Sequence, residues 1–93
     1  MIEVRCTRTD DPLAFEVVVA KGAGESRHQV TMARGTHDQI GGGHAPERVI
    51  EAAFAFLLDR EPKEAILPSF DVTVISRYFP EFERELPGYL AKT

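Results

Sequence analysis

The stretch from Pro46 to Leu58 constrains this chain more than any other part of it. At about 100° per residue, Val49, Ile50, Ala53, Phe54, Phe56, Leu57 and Leu58 spread over more than half of a helical circumference. Arg48, Glu51 and Asp59 share the narrow sector that remains. A helix patterned in this way is buried on two sides, so the rest of the chain must supply two covers. Pro46 suits the first helical position and Glu47 suits the positive end of the helix dipole. Pro62 ends the helix or bends it.

The first cover is legible upstream. Ile2, Val4 and Cys6 alternate with Glu3, Arg5 and Thr7, the period of a half-buried strand. Thr9-Asp10-Asp11-Pro12 breaks the pattern with turn chemistry. A second strand carries Leu13, Phe15, Val17 and Val19 on one face, with Glu16 and Val18 on the other. Gly22-Ala23-Gly24 permits a reversal, after which His28, Val30 and Met32 alternate with Arg27, Gln29 and Thr31. Cys6 is in register with Ile2 and Val4 and is expected to point inward, as an inert thiol. His28 is expected to be a hydrogen-bonded histidine at the edge of the core. Residues 33–44 hold Gly35, Gly41, Gly42 and Gly43 with little apolar content, and read as a loop.

The second cover is expected from the C-terminal segment. Of the eight aromatic residues, Phe70, Tyr78, Phe79, Phe82 and Tyr89 fall after residue 69. Phe70 to Ile75 fits a strand by propensity, and Phe70, Val74, Ile75 and Tyr78 fit a helix with Asp71 as its N-cap. Of the two, we expect a short helix over residues 72–78. A further helix starts at Pro80-Glu81 and runs through Phe82 and Leu86 to Pro87-Gly88. The expected fold class is α+β: a three-stranded antiparallel β-meander, then a long buried helix, then a helical aromatic-rich C-terminal segment, all in one domain over residues 1–93.

Charge and motifs narrow the chemistry. Eleven basic and fifteen acidic residues give a net charge of −4. Neither half of the chain is basic, so an extended phosphate-binding surface is not expected. Cys6 is the single cysteine. Small secreted domains lean on disulfide frameworks, so a cytoplasmic location is the expectation. The opening Met1-Ile2-Glu3-Val4-Arg5 lacks a signal-peptide pattern, and no apolar run is long enough to span a membrane. His37, Asp38 and His44 share one segment, but the spacing of a zinc site is missing. Nucleotide-binding and nucleophile-elbow motifs are missing too. No catalytic residue, metal ligand or cofactor is assigned.

Two sets of residues stand out. Gly41, Gly42, Gly43 and His44 run into the helix start, where free N–H groups can meet an anion. No Lys or Arg lies between Arg34 and Arg48, so a flexible connector is the simpler reading. Tyr78, Phe79, Phe82 and Tyr89 either cover the long helix or leave a surplus that forms an interface. Glu81, Glu83 and Glu85 beside Arg84, and Glu61, Lys63 and Glu64 beside Arg60, read as solvated faces, and the outer face of the meander as a site of cross-strand ion pairs.

The tail Phe70-Asp71-x-x-Val74-Ile75-x-Arg77-Tyr78-Phe79-Pro80-Glu81-Phe82-Glu83, after Phe56-Leu57-Leu58-x-Arg60-Glu61-Pro62, resembles a widespread group of small uncharacterised prokaryotic proteins. The resemblance covers about residues 46–85 and implies a complete one-domain protein. It carries no activity, cofactor or ligand with it.

By subtraction, the expected function is that of a non-enzymatic interaction or adaptor domain, working through the aromatic tail as a homodimer or with a protein partner. The first alternative is a nucleic-acid-associated regulator, by fold analogy to double-stranded-RNA-binding or antitoxin-like domains, with Arg5, Arg8, Arg27 and Arg34 as its patch. The second is a small ligand-binding protein or enzyme using the Gly-rich loop with His37 and His44.

Overall fold

Alternation of apolar and polar residues becomes a sheet with one covered face. In the computed structural model, which describes residues 1–92, β1 (Ile2–Arg8), β2 (Leu13–Ala20) and β3 (Glu25–Met32) form the antiparallel meander. Leu13, Phe15, Val17 and Val19 of β2 are buried, as are His28, Val30 and Met32 of β3. Ile2, Val4 and Cys6 of β1 pair with Val19, Val17 and Phe15, point to the same side, and are only half-buried. A bulge at Thr7 shifts the register, so that Cys6 faces Phe15 and Arg8 faces Ala14.

The sheet has four strands and is mixed, which corrects the three-stranded antiparallel expectation. β4 (Ser69–Asp71) lies parallel to β3, with Val30 opposite Phe70. Gln29 N–H donates to the Pro68 carbonyl at 2.8 Å and Val72 N–H to the Thr31 carbonyl at 2.9 Å, which closes the ladder at both ends. A parallel neighbour needs a long crossover, and here the chain makes it through the helical layer. Three residues are too few to leave a periodic signature of their own.

Residues 33–44 are not all loop. Arg34–Ile40 forms a helix, α1, whose start is tied by His37 N–H to the Ala33 carbonyl at 3.0 Å. No residue of α1 is fully buried, which is why its sequence carries no apolar stripe. The long helix, α2 (Pro46–Leu58), has Pro46 in its first turn and buries Val49, Ile50, Ala52, Ala53, Phe54, Phe56 and Leu57. Phe54 faces the sheet, its ring centroid 5.3 Å from His28 and 6.0 Å from Phe70.

The C-terminal segment holds α3 (Thr73–Tyr78) and α4 (Phe82–Ala91). The ambiguous run from Phe70 to Ile75 is therefore divided, with its start in β4 and its end in α3. α4 also runs beyond the expected stop at Pro87-Gly88. Proline removes one helical donor, but Phe82, Leu86 and Leu90 are spaced one turn apart and are all buried. Their packing carries the helix through Pro87. Phe82, Phe79 and Tyr89 stand edge-on to Phe56 at 5.0, 5.9 and 5.7 Å, so the aromatic tail does cover the far side of α2.

Candidate interaction cleft

The segment between α2 and β4 is pinned at several points, and the pins create a cleft. After Leu58 the chain turns on the Leu57 carbonyl, which accepts from Arg60 and Glu61 N–H at 2.9 Å each. A short 3₁₀ turn, Lys63–Ala65, follows Pro62. Lys63 is buried, and its ammonium donates to the Ala23 carbonyl at 3.2 Å and to Glu64 at 2.6 Å. The bond from Lys63 holds the Glu64 carboxyl below the usual range. Ile66 then turns into the core while Leu67 remains 43% exposed.

His28 anchors this segment from the sheet. Its Nδ1 lies 2.7 Å from the Leu67 carbonyl and its Nε2 lies 2.8 Å from the Ser26 hydroxyl. A carbonyl only accepts, so Nδ1 carries the proton, and in the neutral ring Nε2 accepts from Ser26. On the next strand, Asp71 accepts from the Thr31 hydroxyl at 2.6 Å and from the Thr73 amide and hydroxyl at 3.1 and 2.6 Å. Burial works against the Asp71 charge, but these bonds outweigh it and hold its carboxyl below the usual range. The same bonds join β3, β4 and the first turn of α3.

Between these pins lies a cleft of about 320 Å³, floored by Leu57, Ile66 and Ile75 and walled by Leu67, Phe70, Val74, Tyr78 and Phe79. That volume is at the lower end for small-molecule sites and fits a single large side chain. Glu61 is the one ionisable carboxylate in the lining, and burial pushes its carboxyl above the usual range. Met1, Leu67 and Tyr78 are the exposed large hydrophobic residues among those described, and two of the three border this cleft.

The neighbouring Arg60 serves the core instead. Its guanidinium lies 3.6 Å from the centre of the Phe56 ring and reaches Glu81 and Glu85 at 3.0 Å each. Burial opposes its charge, yet the bonds to Glu81, Tyr89 and Glu85 raise its pKa above the ordinary arginine value. Glu81 and Glu85 are therefore tied to the turn that follows α2, and of the acidic trio only Glu83 is exposed without such a tie.

The four aromatic candidates separate by burial. Tyr78 is 68% exposed, Phe79 and Tyr89 are half-buried, and Phe82 is 1% exposed and belongs to the core. Tyr78 and Phe79 meet in the cleft, whereas Phe82 and Tyr89 meet at Phe56. The Gly-rich run closes on itself. His44 N–H donates to the Gly41 carbonyl at 3.0 Å, and His37 Nε2 lies 2.7 Å from the His44 carbonyl. Gly42 and Gly43 have φ of 58° and 85°, which a tight turn requires. Among the described residues no group of three His, Cys, Asp or Glu could hold a metal ion.

The four arginines of the candidate basic patch are also engaged. Arg5 and Arg27 flank Glu16 at 2.7 and 4.0 Å, the cross-strand pairing expected of that face. Arg8 lies 3.6 Å from Asp10, and Arg34 donates from its guanidinium to the Thr9 carbonyl and from its backbone N–H to the Asp11 carboxylate. Leu67 was not singled out in the sequence, and Glu61 was read with Lys63 and Glu64 as a solvated face, whereas Lys63 is buried and Glu61 lines the cleft. The signal that could have found them is Ile66-Leu67 between Pro62 and Pro68, an apolar pair with no helical or strand partner nearby.

Fold and cleft together define a small α+β domain with its helices on one face of a four-stranded mixed sheet. No protein-family model, no curated protein and no solved structure matches this chain. Among the described residues no helix is long and apolar enough to cross a membrane.

Proposed function

We propose that this domain is a non-enzymatic interaction module whose cleft receives one apolar side chain of a protein partner. The observation that carries the reading is the exposure of Leu67 and Tyr78 in the lining of one mostly apolar cleft that holds a single carboxylate. Exposed apolar residues gathered around a concavity mark a binding surface more often than the same residues scattered singly. Glu61 adds selectivity. A Lys or Arg beside the apolar anchor would stabilise its charged form, which burial otherwise disfavours.

Selection of a random peptide library on the immobilised domain, followed by calorimetry of the enriched sequences, tests this. Enriched peptides should carry a large apolar residue next to Lys or Arg. Leu67→Asp should weaken their binding by about tenfold or more, equivalent to about 1.4 kcal/mol. Binding of enriched peptides to Leu67→Asp with unchanged affinity would show that the cleft is not the site.

A further inference from the structure

We infer that β1 is a second, independent interaction surface, and that its partner is the β1 strand of a second copy of this chain, paired antiparallel about a two-fold axis at Val4. Met1 and Ala20 exchange backbone hydrogen bonds of 2.7 and 2.9 Å. In an antiparallel ladder such pairs recur every second residue, so Glu3 and Arg5 bond to β2 through Val18 and Glu16. The N–H and C=O groups of Ile2, Val4 and Cys6 therefore point away from the sheet. The opposite edge, β4, is three residues long. β1 is seven residues long, contains no proline and bulges only near its end, and the charges it carries, Glu3 and Arg5, are of opposite sign, so they can guard the edge against some registers and favour another.

Parity and charge select one register. Only pairings that match the free groups of one copy to those of the other can form a ladder, so Ile2, Val4 and Cys6 must face one another across the axis. With the axis at Val4, Ile2 faces the second copy's Cys6, and Glu3 faces its Arg5 twice over. The Glu3–Arg5 positions are then non-hydrogen-bonded pairs, in which side chains approach most closely. Moving the axis by one residue toward either end places Glu3 against Glu3 or Arg5 against Arg5, and like charges directly opposite are destabilising. The same arrangement joins the half-buried Ile2, Val4 and Cys6 rows of both copies into one apolar strip on the helix side. Arg5 would then bridge its own Glu16, at 2.7 Å, and the Glu3 that arrives. A single edge-to-edge ladder covers less than the ~1,200 Å² of a standard interface, so the dimer is a weak one.

Light scattering from about 10 µM to 1 mM, the range of weak affinities, reads the association. The unaltered chain should pass from monomer to dimer, and Glu3→Arg should stay monomeric with unchanged circular dichroism. Ile2→Cys tests the register. Positions 2 and 6 of one strand are about 13 Å apart, too far for a disulfide, whereas directly opposite residues are within reach. Mild oxidation should give a covalent dimer whose peptide map shows position 2 joined to Cys6. A monomer throughout, an unweakened Glu3→Arg dimer, or a Cys6–Cys6 link would overturn the proposal. Should Ile2→Cys fail to fold, the exposed Glu3→Arg decides it alone. Leu67→Asp lies in the cleft and should leave this dimer intact.

Discussion

Phe56→Leu asks whether the seal between α2 and α4 depends on ring geometry or on apolar area alone. Phe56 has no exposed surface, and it meets three aromatic edges and one guanidinium face. Each edge contact is worth about 0.5–1.5 kcal/mol beyond area burial, and the cation–π contact about 0.5–1 kcal/mol. Leucine keeps most of the apolar volume but none of these contacts. Contacts that share one ring do not add fully, so the expected cost is about 2–3 kcal/mol. Phe54→Leu is the control, because Phe54 is equally buried but has only two tilted ring neighbours. It should cost about 1–1.5 kcal/mol. Thermal and urea unfolding of both variants read the difference. The Phe56 variant should melt about 10–20 °C below the parent, at roughly 4–8 °C per kcal/mol for a domain of this size. Equal costs within about 0.5 kcal/mol would refute the argument and leave area burial as the whole account.

Four further outcomes follow from the same structure. Glu61→Gln should raise the melting temperature at neutral pH and leave it unchanged near pH 3. Its carboxyl is raised in the fold, so the native chain loses stability as pH climbs through that raised value, and the amide does not. Asp71→Ala should cost about 2 kcal/mol in urea unfolding, since three donors lose a charged acceptor. Because its carboxyl is depressed, the native contribution is present above the ordinary carboxylate range and fades as pH falls through the depressed value. Gly41→Ala should destabilise by about 1–3 kcal/mol, because the added Cβ would meet the His37 carbonyl at 2.5 Å. Gly35→Ala, with open space around it inside α1, should instead stabilise by about 0.5–1 kcal/mol, which the same melts would show.

What could be read from residues alone follows where the physics is periodic. The meander strands and α2 repeat their burial over seven residues or more, and their faces agree with the alternation and the apolar arc. α1 buries nothing fully and β4 spans three residues, so neither imposes a period. At Pro87 local propensity argued for a stop, and the spacing of Phe82, Leu86 and Leu90 prevailed. Of the cleft, Tyr78 and Phe79 were visible as aromatic surplus. Leu67 was not, and Glu61 was read only as part of a solvated face, because their placement is set by the His28 bond to the Leu67 carbonyl and by the turn at Leu57. Those are tertiary contacts, and a linear pattern holds no trace of them.

The parallel placement of β4 also bears on the order of folding. β1, β2 and β3 are joined by short turns and can zip from local contacts, whereas Thr31 and Asp71 are 40 residues apart in the chain. β4 can dock only once α2 has crossed the sheet, which makes it a late arrival. Substitutions at Phe70 and Asp71 should therefore speed unfolding while leaving the folding rate nearly untouched, giving φ-values near zero. High values there would show the opposite order. On that order the cleft would form last and open first, so a partner of the kind proposed would slow local opening of that corner in particular.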